Sequence, residues 1–96
     1  IFIVSESETP KAEGHLTVKV SPNPSANEFR FVVSTGSRLP VHVKVIDEYG
    51  RATEAKNDVP VGAAFTMGGK LIAGIYYAEF IQVQESVTLK LIKQNR

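Results

Sequence analysis

The sequence predicts an all-β protein, an antiparallel sandwich of about seven short strands around one core. Three observations predict it. Apolar residues recur at every second position in run after run, the period of a half-buried strand. Turn residues separate those runs at spacings of roughly 8–12 residues, which suits a sandwich. No segment carries a convincing 3.6-residue repeat. At 96 residues a chain buries roughly 64% of its unfolded surface, enough for one modest core and too little for two domains. About seven strands in a chain of this length is the immunoglobulin-like arrangement. Residues 1–15 are expected to be a linker and the end of a preceding region, and 16–96 the folded domain.

The elements follow in order. Ile1-Phe2-Ile3-Val4 is apolar and β-branched, a short strand or the end of a preceding domain. The start is abrupt, and the chain reads as a fragment of something longer, with any export signal on the missing part. Ser5 to Gly14 is polar, holds Pro10, and lacks periodicity, so it reads as an exposed linker. Leu16, Val18 and Val20 then share one face of a strand, with Thr17 and Lys19 on the other. Ser21-Pro22-Asn23-Pro24 ends it. The two prolines fix φ and remove two N–H donors, and Asn23, which precedes a proline, is kept out of the α region. Phe29, Phe31 and Val33 alternate with Glu28, Arg30 and Val32, up to a break at Thr35-Gly36-Ser37. Val41, Val43 and Val45 alternate with His42, Lys44 and Ile46. Asp47-Glu48-Tyr49-Gly50 reads as a hairpin turn. Asp47 accepts backbone N–H bonds there, and Gly50 supplies the positive φ. Weaker strands lie near Arg51 to Ala55 and Gly62 to Met67, with a break at Asn57-Asp58. After Gly68-Gly69-Lys70, Tyr76, Ala78 and Phe80 oppose Tyr77, Glu79 and Ile81. Val87, Leu89 and Leu91 then oppose Thr88, Lys90 and Ile92.

The composition removes several classes of function. Lys+Arg is 11 and Asp+Glu is 10, so no basic excess points to nucleic acid and no charge block to an anionic membrane surface. The longest apolar candidate for a membrane span, Leu71 to Ala78, is interrupted by Gly74 and far too short. There is no cysteine, which excludes disulfides, thiolate zinc sites, iron–sulfur clusters and a cysteine nucleophile. His15 and His42 have no second ligand at a metal-binding spacing and read as solvated surface residues. Asp47, Glu48 and Asp58 lack the alternation of a calcium loop. The serines include no nucleophile elbow. Gly68-Gly69-Lys70 lacks the rest of a phosphate-binding loop and reads as a turn. Tyr76 and Tyr77 are adjacent on a strand and point to opposite faces. One is core and the other surface, and the expected tyrosine role is packing with a hydroxyl that reaches the backbone, rather than a sugar platform. No catalytic residue, metal or cofactor is expected, and the chain is not expected to be an enzyme.

Four motifs stand in a fixed order: Ser21-Pro22-Asn23-Pro24, then Asp47-Glu48-Tyr49-Gly50-Arg51, then Leu71-Ile72-Ala73-Gly74-Ile75-Tyr76, then Leu89-Lys90-Leu91-Ile92-Lys93. In this the chain resembles the C-terminal sorting domain of the type IX (Por) secretion system of Bacteroidetes, over about Leu16 to Lys93. That family's usual pattern is a Pro-Asn-Pro turn, an Asp-x-x-Gly-Lys/Arg hairpin, an Ala-Gly-Val/Ile-Tyr strand opening and a final strand with a basic end. Arg51 stands where Lys is commoner, and Gln94-Asn95-Arg96 extends past the basic end. The resemblance implies a secretion signal. Its residues would be Pro22, Asn23, Pro24, Asp47, Gly50, Arg51, Gly74, Tyr76, Lys90 and Lys93. The partners implied are the outer-membrane translocon and a sortase-like peptidase, with recognition centred on the last strand and tail, Val87 to Lys93. Cleavage is expected in the linker between Ser5 and His15, an exposed segment a protease can grip. The implied location is the periplasm in transit, then the outer-membrane surface or the medium, with the cargo anchored or released. The alternatives are a non-catalytic immunoglobulin-like spacer and a carbohydrate-binding or adhesion module of a surface protein. Edge strands of a sandwich also leave room for an edge-to-edge dimer.

Overall fold

The computed structural model describes residues 15–83 and 85–95. The expected opening strand and all of the linker before His15 lie outside them. Seven strands follow one another: β1 (Thr17–Ser21), β2 (Phe29–Ser34), β3 (His42–Asp47), β4 (Ala52–Lys56), β5 (Phe65–Met67), β6 (Gly74–Gln82) and β7 (Glu85–Lys93). They form two antiparallel sheets, ordered β1-β2-β5 and β4-β3-β6-β7. The fourth strand pairs with the third, and the chain crosses between sheets after β2, β4 and β5. This is an all-β, immunoglobulin-like sandwich.

The period-two pattern does what it predicts. Phe29, Phe31 and Val33 of β2 are fully buried and face Val43 and Val45 of β3, Ala78 and Phe80 of β6, and Leu91 of β7 in one core. Phe31 joins the sheets, its ring 5.3 Å from that of Phe80 and 5.7 Å from that of Phe65. Two elements differ from expectation. The strand expected over Gly62 to Met67 begins only at Phe65. Asp58 and Gly62 both take positive φ, 53° and 83°, and bend the chain between them. The inward row of β6 does not stop at Phe80 but continues to a buried polar residue, Gln82. Its amide oxygen accepts from the Thr35 hydroxyl at 2.8 Å, and its nitrogen donates to the Leu39 carbonyl at 2.8 Å. These bonds tie down the β2–β3 connection and satisfy the buried amide.

The register divides the loops between two ends. Ser21 lies opposite Arg30, Phe29 opposite Met67, Asp47 opposite Tyr76, and Gly74 opposite Lys93. The Pro-Asn-Pro turn, the Asp47 hairpin, the Gly68–Ala73 segment and the end of β7 therefore share one pole. The β2–β3 connection, the β4–β5 bend and the β6–β7 hairpin share the other.

Candidate functional site

The residues of the four motifs meet at the first pole, around the end of β7. The Pro-Asn-Pro turn lies against that strand. The Ser21–Pro22 and Asn23–Pro24 peptide bonds are cis. Asn23 donates from Nδ2 to the Lys90 carbonyl at 2.8 Å and accepts at Oδ1 from the Ile92 N–H at 3.0 Å. An asparagine amide carries one acceptor and a donor in the arrangement of a peptide group, so this side chain pairs with the edge as a strand would. The main chain then takes over. Ser25 donates its N–H to the Ile92 carbonyl at 3.0 Å and accepts from the Gln94 N–H at 2.9 Å, forming a parallel bridge at Lys93. Ser25 is itself buried. Its hydroxyl donates to the Glu28 carbonyl at 2.9 Å and accepts from the Asn27 N–H at 3.1 Å, which turns the chain into β2.

Lys93 is the basic end of the final strand, and it points inward. It is 5% exposed, in phase with Leu91, and its Nζ donates to the Gly68 carbonyl. Gly68 takes φ +89°, and a Cβ there would stand 2.9 Å from the Phe29 ring, so only glycine fits. Its N–H donates to Glu54 Oε1 at 3.1 Å. Tyr76 is also buried, and its hydroxyl donates to the Ile72 carbonyl at 2.8 Å. The ring passes Gly74, where a Cβ would sit 3.7 Å from it. An open depression of about 290 Å³ lies between Ala26, Leu71, Ile72 and the tail residues Lys93 to Asn95. Ile72 is 80% exposed at its rim.

The Asp47 hairpin stands at the same pole, and its bonds are internal. Asp47 Oδ1 accepts from the N–H groups of Tyr49 and Arg51, both at 2.9 Å, and Oδ2 accepts from Arg51 Nε at 3.0 Å. The Gly50 N–H donates to the Asp47 carbonyl at 3.0 Å, with Gly50 at φ +85°. The Arg51 N–H, and after it the Tyr49 N–H and the guanidinium, hold the Asp47 carboxyl below the usual carboxylate range against an opposing desolvation. The Arg51 guanidinium also lies over the exposed Tyr49 ring, 5.5 Å from its centre. Lys90 is exposed on the outer face of β7, opposite Tyr77.

Pro22, Asn23, Pro24, Gly74, Tyr76, Lys90 and Lys93 thus gather around one strand end, and Asp47, Gly50 and Arg51 stand beside them. The arrangement is built of backbone-directed bonds. Among the described residues no group of three or more His, Asp or Glu side chains could hold a metal ion. Among them also no helix is long and apolar enough to cross a membrane. His42 Nδ1 accepts from the Asp58 N–H at 3.2 Å, and His15 lies 3.7 Å from Glu85, both at the opposite pole. Ser25, Gly68 and Gln82 carry more of the structure than sequence reasoning gave them. For Gln82 and Lys93 a signal existed, a polar residue in phase with an inward row. No protein-family model matches this sequence, and no curated protein matches it at a significant level.

Proposed function

We propose that this chain is a non-catalytic sorting domain that directs a larger cargo protein through the outer-membrane translocon of a type IX secretion system. The cargo passes through the periplasm and is released or anchored at the cell surface, with a sortase-like peptidase cutting before His15. No cofactor takes part. One observation carries the reading: the four motifs, spread over some seventy residues of sequence, lie at one pole of the sandwich, three of them at the end of β7 and the Asp47 hairpin beside them. A spacer domain would need its core and its turns, but it has no need to gather those particular residues at one pole.

The test is a fusion of the chain to the C-terminus of a reporter that carries a periplasmic export signal. The host is a Bacteroidetes strain with the secretion system, and a translocon-deficient strain is the control. The expected result is reporter at the surface or in the medium of the competent strain alone. Deletion of Val87 to Arg96 should return it to the periplasm. A folded fusion retained in the periplasm of both strains contradicts the sorting role and moves the spacer and glycan-binding readings ahead.

A further inference from the structure

The cover on β7 stops half way along the strand. Backbone groups that face away from β6 belong to alternate residues, and the register with β6 runs without a shift from Gly74↔Lys93 to Gln82↔Glu85. Because Ile92 turns both its groups outward, so do Ser86, Thr88 and Lys90. The Lys90 carbonyl and both groups of Ile92 are taken by Asn23 and Ser25. The N–H and C=O of Ser86 and Thr88, and the N–H of Lys90, have no partner among the described residues. An open edge of this kind is a template for another strand. Between Ser86 and Lys90 there is no proline and no bulge to blunt it.

We propose that Ser86–Lys90 is a pairing surface for the same stretch of a second copy of this chain, antiparallel, with Thr88 opposite Thr88. The window selects both partner and register. Two five-residue windows coincide in antiparallel sense only when both are centred on Thr88, which is a two-fold symmetric contact. Ser86 then lies opposite Lys90 of the second copy, and the two threonines form a favourable cross-strand pair. Centring the contact on Lys90 sets like charges opposite each other, which is destabilising. It also drives each strand into the Asn23–Ser25 cover of the other. Centring it on Ser86 runs each strand past the turn of the other's β6–β7 hairpin. Among registers centred on an outward-facing residue, the cover and Lys90 together leave this one, and it is the one that overlaps the two open windows completely. With five residues a side, the contact falls in the small, weak class of interfaces. The inference does not rest on the proposed sorting role.

The chain has no cysteine, so single cysteines report the register. Directly opposite, hydrogen-bonded residues have Cα atoms about 5.5 Å apart, within disulfide reach. Under mild oxidation Thr88→Cys is expected to form a covalent dimer about tenfold faster or more than Ser86→Cys or Lys90→Cys alone, because pairing raises the local thiol concentration. A mixture of Ser86→Cys and Lys90→Cys is expected to cross-link with each other. Thr88→Pro removes an outward N–H that the β6 ladder does not use, so the domain stays folded and its concentration-dependent sedimentation is lost. Equal cross-linking of Thr88→Cys and Ser86→Cys overturns the proposal. So does a wild-type chain that remains monomeric at millimolar concentration.

Discussion

The two ends of β7 are finished in opposite ways. From the Lys90 carbonyl to the Gln94 N–H the outward backbone is closed by a turn some seventy residues earlier, through Asn23 and Ser25, and Lys93 is tied inward to Gly68. At Ser86–Thr88 the outward backbone has no partner among the described residues. The tie there is a side chain, Glu85, which accepts the Leu16 N–H at 3.0 Å. The adjoining turn carries Val83 at φ +52°, a conformation a β-branched residue seldom adopts. A turn can therefore serve as a strand's partner without being a strand. The prolines deny it a ladder of its own, and Asn23 lends it a peptide-like edge.

Breaking the covered end should cost most at Lys93. Lys93→Ala removes a buried stem and strands the Gly68 carbonyl, and is expected to destabilise by about 3 kcal/mol in urea unfolding. Lys93→Met keeps the stem and should cost about 1 kcal/mol; an equal loss for both would mean that the stem's packing contributes little. Asn23→Ala removes two bonds to the backbone and should cost about 2 kcal/mol, against less than about 0.5 kcal/mol for Thr88→Ala at the open end. Equal costs there would erase the difference between the two halves. The open end should also be improvable. Val83→Asn relieves the left-handed backbone of a β-branched residue and is expected to raise stability by about 1 kcal/mol.

The smallest effect concerns the hairpin beside the covered end. The Asp47 carboxyl titrates below its unfolded value of 3.8. Its contribution is therefore present above that pH and is lost as pH falls through the lower folded value. An NMR titration should show the Tyr49 and Arg51 amides moving together below pH 3.8, and Asp47→Asn should remove that transition.

Much of this was legible in the sequence, and the reasons are local. Period-two alternation in Phe29–Val33, Val41–Val45 and Tyr76–Phe80 dictates which side chains face inward, so strands and core follow directly. Gly50 at positive φ and Asp47 as an acceptor follow from turn chemistry. The short β5 was harder, because Gly62 reads equally as the first residue of a strand and as the positive-φ bend that it makes, and Ala63 and Ala64 do not decide between them. The target of Asn23 was not legible at all. Its partners, Lys90 and Ile92, are set by how the two sheets stack, and no local pattern encodes that distance. Lys93 was readable as a strand end, while its burial follows from its phase with Leu89 and Leu91.

The most direct measurement is residue-resolved amide hydrogen exchange along β7, in solution dilute enough to keep the chain monomeric. If the Pro-Asn-Pro turn closes the edge, Ile92 and Gln94 are protected while Ser86 and Thr88 exchange like open amides, and Asn23→Ala releases Ile92 specifically. If Ile92 exchanges as fast as Thr88 in the wild-type chain, or is unmoved by Asn23→Ala, the turn does not cover the strand.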